Sequence, residues 1–454
     1  MKHSLMNKNK IFFLTITTIL LSIFSYQNSY AQEDLLQSGP MVGYSEMKEV
    51  ALWVQTKQAA KVKFAYWEKN LPQKKSYTNE ILTEKNNAFA TKIIADEVLP
   101  SKKYQYELYI NDKVVKRNYP LEFQSQVLWQ YRTEPPEFKI AFGSCTYVND
   151  VPYDRPGTPY GGDYEIFTSI TKQKPDLMIW GGDNTYMREP DWGTRTGVLY
   201  RYTHTRSLPE MQPLLGATHN YATWDDHDFG PNDSDGSFPN KNITSEVFNL
   251  FWANQNSGVS NPDKKGITNT FTWGDVQFFM LDDRYFRTAN NNKTAKKEMF
   301  GKEQLDWLIN ALAASPATFK IIVSGAQVLN VAKEKENFAN FVEEKQYLLD
   351  NLKKLEVNGI LFVSGDRHHT ELTKLSEGMK YPLYDFTISP LTSGVHTYKD
   401  EGNILQVPNT LVSKKNFAIF NVSGKRKDRK INVQIFDKDG NELWKREVTE
   451  KELK

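Results

Sequence analysis

The chain has 454 residues, 39% hydrophobic, 25% charged and 13% aromatic, which allows one to three globular domains with large cores. No stretch reads as low complexity or as a repeat array. The formal charge is +2 and there is no basic tract, so the clustered cations that phosphate-backbone binding needs are absent and nucleic acid is not an expected partner.

Residues 1–31 read as a cleavable signal peptide. Lys2, His3, Lys8 and Lys10 precede the apolar run IFFLTITTILLSIF, small residues follow at Ser29 and Ala31, and cleavage is expected after Ala31. The run is too short to span a bilayer comfortably, so an uncleaved anchor is the minor reading and no transmembrane segment is expected in the mature chain. The expectation is an exported protein, periplasmic or secreted. No twin arginine is present, which points to export of the unfolded chain. Cleavage removes three lysines and no acid, leaving 54 basic against 55 acidic side chains, a net of −1. Cys145 is the only cysteine and cannot form an internal disulfide; taken alone, it reads as a small buried apolar residue.

Residues 32–134 read as β structure. VALWVQT, KVKFAYWE, AFATKII and YQYELYI alternate apolar and polar residues between polar turns such as NDK. That spacing predicts an all-β sandwich of the immunoglobulin or fibronectin kind. This half holds no cluster of acids and histidines, so a structural or positioning role is expected. YRTEPPE, with Pro135 and Pro136, reads as the linker.

Residues 135–454 change rhythm. Apolar runs FKIAF, DLMIW, VQFFML, FKIIVSG and GILFVSG alternate with helix-like stretches such as DYEIFTSITKQ, TSEVFNLFWANQ and KEQLDWLINALAAS. Continuous apolar strands among amphipathic helices predict an α/β layered domain whose sheet is covered on both faces. The chain closes with an expected β-hairpin turning at DKDGN. In such folds the site lies where strands end.

The strand ends carry the chemistry. GSC ends in Cys145; IWGGDNTYM turns at Gly-Gly and presents Asp183 and Tyr186; WDDHDFGPND offers Asp225, Asp226, His227 and Asn232; LDDR offers Asp282 and Arg284; GDRHH offers Asp366 and His368. A single Asp at a strand end is more often a turn or cap residue than a ligand. Several consecutive tips bearing carboxylate, imidazole, phenol or thiol point instead to metal binding. If Cys145, Asp183, Tyr186, Asp226 and Asp366 all bind deprotonated, one trivalent and one divalent ion balance their charge. Thiolate with phenolate suits ferric iron, and all-oxygen positions suit calcium. Two such ions clamp a phosphoryl group and activate a water for in-line attack. Arg284 pairs either with phosphate oxygens or with Asp282, and His227 either protonates the leaving oxygen or orients a carboxylate. His369, His204 and His219 read as structural.

The series GSC, GGDNTY, WDDHDFGPND, LDDR and SGDRHH resembles the PhoD-like alkaline phosphatase D family, in order and surroundings, from about Phe138 to Asn421. The N-terminal β region resembles that family's leading domain. The family belongs to the calcineurin-like metallophosphatases, so the resemblance implies a β-sandwich flanked by helices and hydrolysis of small-molecule phosphate esters. It also implies a mixed Fe(3+) and Ca(2+) centre, with other divalent metals as alternatives. Carried over by position, Cys145, Tyr186 and His368 resemble iron ligands, Asp183 the bridge, and Asp226, Asn232 and Asp366 the calcium ligands, with His227 beside the substrate. Asp225 is the alternative to Asp226. Two departures stand out: the twin-arginine signal common in the family is missing, and LDDR has Asp283 where a small polar residue is usual. A phosphodiesterase or phospholipase-like enzyme on the same centre is one alternative, and a surface-binding protein with a structural metal site is another. Every ligand so assigned lies between Cys145 and His368, so a chain starting near Pro136 is expected to keep the metal set.

Overall fold

A computed structural model describes residues 35–294, 296–334, 336–396 and 401–454; the expected signal peptide at residues 1–31 lies outside them. Among the described residues no helix is long and apolar enough to cross a membrane.

The N-terminal stretch is strand almost throughout. It forms β1 (Leu36–Ser45), β2 (Val50–Thr56), β3 (Lys61–Glu68), β4 (Ser76–Tyr77), β5 (Ile81–Leu82), β6 (Ala90–Ala95), β7 (Lys103–Ile110), β8 (Lys113–Val115) and β9 (Glu122–Gln124). In β7, buried Tyr104, Tyr106, Leu108 and Ile110 alternate with more open Lys103, Gln105, Glu107 and Tyr109, as a strand with one covered face must.

The second part opens with β10 (Phe138–Gly143), α1 (Ile166–Lys172), β11 (Leu177–Gly181), α2 (Arg195–Arg206), α3 (Gln212–Ala217) and β12 (His219–Thr223). It continues with α4 (Asp226–Phe229), α5 (Lys241–Phe251), β13 (Asn269–Trp273), β14 (Val276–Met280), α6 (Lys302–Ala314) and β15 (Phe319–Val323). Then come α7 (Val342–Lys354), β16 (Ile360–Ser364), β17 (Glu371–Leu375), β18 (Leu383–Thr387), β19 (Asn416–Ser423), β20 (Lys430–Asp437) and β21 (Glu442–Thr449).

Two sheets face each other. One has nine strands in the order β21-β20-β19-β10-β11-β12-β1-β2-β6, the other six in the order β13-β14-β15-β16-β18-β17. Ile140, Phe142, Leu177, Ile179 and Tyr221 point inward to meet Phe271, Phe278 and the rest of the second sheet. The Tyr221 and Phe271 rings stack with centroids 3.6 Å apart. Their strand neighbours Ala141, Met178, Trp180 and Ala222 point outward, into a second core with Phe167 of α1, Val198 and Tyr202 of α2, and Phe248 of α5. Period-two alternation with both faces covered makes the middle of these strands largely apolar. The expected sandwich flanked by helices, a mixed α/β fold, is what the chain forms.

The expectation of a self-contained first domain needs correction. β3, β4, β5, β7, β8 and β9 form a small sheet of their own, but β1, β2 and β6 belong to the nine-stranded sheet. β1 pairs in parallel with β12 at Val42 and His219, and antiparallel with β2. Apolar burial drives the merger: Met41, Ala51 and Trp53 sit in the core that also holds the helices of the second part, and Trp53 Nε1 donates to Leu250 O at 3.0 Å. Polar ties add to it, with Tyr106 OH donating to Gly216 O (2.8 Å) and Gln124 Nε2 to Asp176 Oδ1 (2.7 Å). β1, β2 and β6 share one sheet with the second part across the expected boundary at residue 134.

Candidate metal centre

The loops that follow β10, β11, β12 and β16 meet where the ends of the two sheets converge. Cys145 N donates to Gly182 O at 3.1 Å and Thr146 N to Asp183 O at 2.7 Å, so the first two loops are laced together. Gly365 N donates to Gly325 O at 2.8 Å, tying the loop after β16 to the one after β15. Cys145, Asp183, Asp366 and His368 all have positive φ, 62°, 53°, 67° and 53°. Left-handed backbone is uncommon for such residues and concentrates at functional sites. Gly182 explains the Gly-Gly of the sequence: its φ is 97°, and a Cβ there would lie 2.9 Å from Asp225 Cβ and 3.2 Å from Gly325 Cα. Only glycine lets the chain turn so close to the neighbouring loops.

Asp183 is the hub. It belongs to three groups of donor atoms, each within 4.8 Å of one another: Cys145, Asp183 and His368; Asp183, Asp226 and His227; Asp183, Asp225 and Asp366. Its Oδ2 accepts from Tyr186 OH at 3.0 Å and lies 3.7 Å from Cys145 Sγ. Its Oδ1 accepts the His227 backbone N–H at 3.2 Å. Tyr186 OH is 3.1 Å from His368 Nε2, and the other nitrogen of that ring, Nδ1, lies 2.5 Å from Gly394 O. Ser389 Oγ donates to Cys145 Sγ at 3.1 Å and accepts from His368 N at 2.9 Å.

Burial dominates the electrostatics. It pushes the Cys145 thiol up to about 12 and raises the Asp183 carboxyl well above its usual range, with the charges of Asp226 and Cys145 adding to the effect. It raises Asp366 to about 7 against the opposing pull of Arg367, and it lowers His368 to about 3, with His396 as the next cause. Desolvation and like charge disfavour the charged acids, so a set this dense needs cations to hold its anionic forms.

The donor set fits metal ions. Asp225 Oδ2, Asp228 Oδ1 and Asp366 Oδ2 are buried without a hydrogen-bond partner, and orphaned buried oxygens of this kind call for one. Around Asp183, the Cys145 thiol and His368 imidazole form one donor group, Asp226 and the His227 imidazole a second, and the carboxylates of Asp225 and Asp366 a third.

Not every expected residue joins this cluster. Asp225 and Asp226 both lie within reach of Asp183, in different groups. Asp226 accepts the Asp233 N–H at 2.6 Å, whereas neighbouring Asn232 is exposed at the wall of a cleft and contacts neither carboxylate. Arg284 does not face that cleft. Its side chain is fully buried and pairs with Asp225 and Glu336, while only its backbone N–H reaches Asp282, at 3.0 Å. Asp282 instead accepts from Trp224 Nε1 at 2.8 Å. The expected phosphate or Asp282 partner gives way because two buried carboxylates need the charge more than solvent does. His227 lines the cleft, its ring 4.2 Å from that of Tyr186.

The cleft has a volume of about 580 Å³ and opens beside Tyr186 and His227, walled by Tyr147, Tyr160, Arg188 and Trp192. Sequence reasoning passed over Ser389, Glu336 and Arg188. Ser389 follows the tip of β18 in a stretch without acid or histidine, Glu336 lies in the loop between β15 and α7, and Arg188 follows GGDNTY in a stretch with no readable pattern.

A sequence profile of the PhoD-like phosphatases matches residues 140–427. Alkaline phosphatase D of Bacillus subtilis (strain 168) is 23% identical over 364 residues, 68% of this chain and 59% of that protein. The matched chain therefore spans less than two thirds of that relative's length. A solved structure of PhoD superposes with a TM-score of 0.73 at 17% identity, over 91% of this chain and 92% of the other. The purple acid phosphatase PPD1 from yellow lupin (Lupinus luteus) seeds superposes with a TM-score of 0.65 at 9% identity, over 90% and 74%. At these identities the two structures speak for the fold alone. With the family profile covering most of the chain, including all the strand-end motifs, the protein belongs to the PhoD-like phosphatase family.

Proposed function

We propose that the protein is an exported, metal-dependent phosphoester hydrolase acting on small phosphate esters in the cleft beside Tyr186 and His227. The observation that carries this reading is Asp183, a single buried carboxylate common to three overlapping donor groups, the arrangement a bridging ligand between two ions requires. Cys145, Tyr186 and His368 would hold ferric iron, the thiolate and phenolate suiting that ion. Asp226 and Asp366, with Asp225 as the alternative to Asp226, would hold calcium, which takes oxygen ligands. Asn232 completes the calcium set only if its exposed loop moves inward. When bound, such a pair supplies Lewis acidity toward phosphoryl oxygens and a water nucleophile of lowered pKa.

The chain's own residues do the rest. Ser389 fixes both Cys145 Sγ and the His368 backbone, holding those two donors in register. The Gly394 carbonyl orients the His368 ring through Nδ1, leaving Nε2 toward Tyr186. Arg284 holds Asp225 in place and pulls its carboxyl back toward the ionised form, against the burial that raises it. Tyr147, Tyr160 and Trp192 give the cleft an aromatic wall. As the water oxygen bonds to phosphorus and the ester P–O bond breaks, the water releases its proton to solvent, and His227 at the cleft wall passes a ring N–H proton to the departing oxygen while taking one back from solvent, so the ring ends in the neutral form that burial favours.

The test is release of p-nitrophenol from mono- and bis-p-nitrophenyl phosphate by purified protein, with elemental analysis of the same sample. Hydrolysis of the monoester with iron bound supports the reading, and preference for the bis-ester would assign a phosphodiesterase. No hydrolysis of either ester by the metal-loaded protein would overturn the enzymatic reading and favour a binding protein with a structural metal site.

A further inference from the structure

Arg188 is a buried cation that forms no ion pair with a carboxylate among the described residues. Its side chain lies in the cleft wall next to His227 and is 8% exposed. Its Nε donates to Tyr147 OH at 3.1 Å, and its guanidinium carbon sits 4.6 Å from the Tyr147 ring centre and 5.8 Å from that of Tyr186. The fully buried arginines elsewhere are mostly neutralised: Arg201 pairs with Asp150 and Asp191, Arg284 with Asp225 and Glu336, and Arg429 with Asp275. Arg206 has no carboxylate but lies flat on Trp252 in an apolar core. Among the described residues no carboxylate forms an ion pair with Arg188, although it borders an open cleft.

The loop that carries it is fastened firmly. Arg188 N donates to Asp191 Oδ2 at 2.7 Å, and the same oxygen takes Arg201 Nε at 2.8 Å. Arg201 also reaches Asp150 Oδ2 at 3.3 Å, so the loop after β11 is tied to the one after β10. Tyr147, the acceptor for Nε, is itself anchored by donating to Asp154 Oδ1 at 2.5 Å. With Nε engaged and the plane held against two phenol rings, the fork of Nη nitrogens is fixed in orientation.

A buried unpaired charge is costly unless a ligand completes it. A planar guanidinium with one edge free and its orientation set in advance matches two oxygens of a phosphoryl group, where a lysine would offer only a point charge. Cation–π contact with the tyrosines offsets part of its desolvation while the cleft is empty.

We propose that Arg188 binds the phosphoryl oxygens of the substrate, and of product phosphate, through its Nη edge. This deepens the hydrolase reading above and rests on it for the identity of the substrate. The cleft is thereby assigned to a ligand that presents phosphoryl oxygens to Arg188.

The test uses the full metal-loaded protein and two probes, inorganic phosphate and p-nitrophenyl phosphate. Calorimetry gives the phosphate affinity, and steady-state kinetics give KM and kcat for the wild type, Arg188→Gln and Arg188→Lys. Charge-assisted hydrogen bonds of this kind correspond to roughly a tenfold to hundredfold loss of phosphate affinity in Arg188→Gln. KM should rise in parallel, with metal content unchanged. Arg188→Lys keeps the charge without the fork and should recover part of the loss; it carries the test if the glutamine variant does not fold. Phosphate affinity within twofold of wild type in a folded variant that lacks the fork overturns the proposal, as does a wild type that binds no phosphate. A wild type that binds phosphate through Arg188 but cleaves neither nitrophenyl ester sinks the hydrolase reading while the phosphate-binding role stands.

Discussion

Arg284 Nε lies 2.5 Å from Asp225 Oδ1, with both side chains wholly buried. The same guanidinium pairs with Glu336, and Asp283 Oδ1 stands 3.9 Å from its Nε. One cation thus answers several acids beneath the centre. Arg284→Met should leave Asp225 buried without a counter-charge and Glu336 with Arg287 alone, 3.6 Å away, and destabilise the fold by about 3–5 kcal/mol. Urea unfolding of the metal-free variant checks this, and a midpoint equal to that of the wild type would show that the acids do not depend on Arg284.

Cys145→Ala should fold normally, since the side chain is small and fully buried, yet lose iron and well over tenfold in turnover, on the scale expected for removing a metal ligand. Iron per chain and p-nitrophenyl phosphate hydrolysis are the two readouts. Normal iron with normal turnover would return Cys145 to the role of a core residue.

A chain beginning at Glu137 should fail to fold. β1 occupies an interior position of the nine-stranded sheet, between β12 and β2, and its loss bares the edge of β12 and the core face that Met41 and Trp53 fill. Each such buried side chain contributes about 1.5–3 kcal/mol, and domains have only about 5–15 kcal/mol in total. Circular dichroism and solubility decide it; a folded, metal-binding truncation would show that the second part stands alone.

His219 makes stability depend on pH. Its Nδ1 lies 2.9 Å from Gly43 O and its Nε2 accepts the Gln124 N–H at 3.1 Å, so the ring is held neutral, and burial lowers its pKa from 6.5 to about 4. The folded state therefore binds fewer protons than the unfolded one between those values. The stabilisation is complete above pH 6.5 and is lost as pH falls through about 4, by roughly 3 kcal/mol. His219→Gln should flatten the curve of unfolding free energy against pH in this window. A variant with the wild-type slope would assign the acid sensitivity to other groups.

Much of this architecture is legible in the sequence because local pattern carries it. FKIAF, DLMIW and GILFVSG are largely apolar because sheet and helix cover both faces, and residues just after each run land at the centre. The Gly-Gly before Asp183 reads as a tight turn, and the φ of Gly182 bears that out. Partnership across the chain is less visible. LDDR looks like a site motif because it puts charge at a strand tip, yet what Arg284 meets is Asp225, 59 residues away, and nothing in either segment names the other. The β rhythm of the first part shows strands but not which sheet each one joins. Arg188 stayed hidden because its role depends on two tyrosines placed around it by separate loops.

The parallel seam between β1 and β12 also governs the order in which the chain can assemble. Gly43 and His219, bonded across it, are 176 residues apart. During synthesis β1 emerges early, yet its neighbour is not made until β10, β11 and three helices have followed. Until then one edge of β1 remains unpaired, a template for pairing with other chains, and closing so long a loop is paid in entropy before any contact repays it. Joining the first strand made to the middle of the chain gives a unified molecule at the cost of late completion, so dilute conditions or a chaperone that shields β1 should raise the yield of refolded protein more than any change near the metal centre.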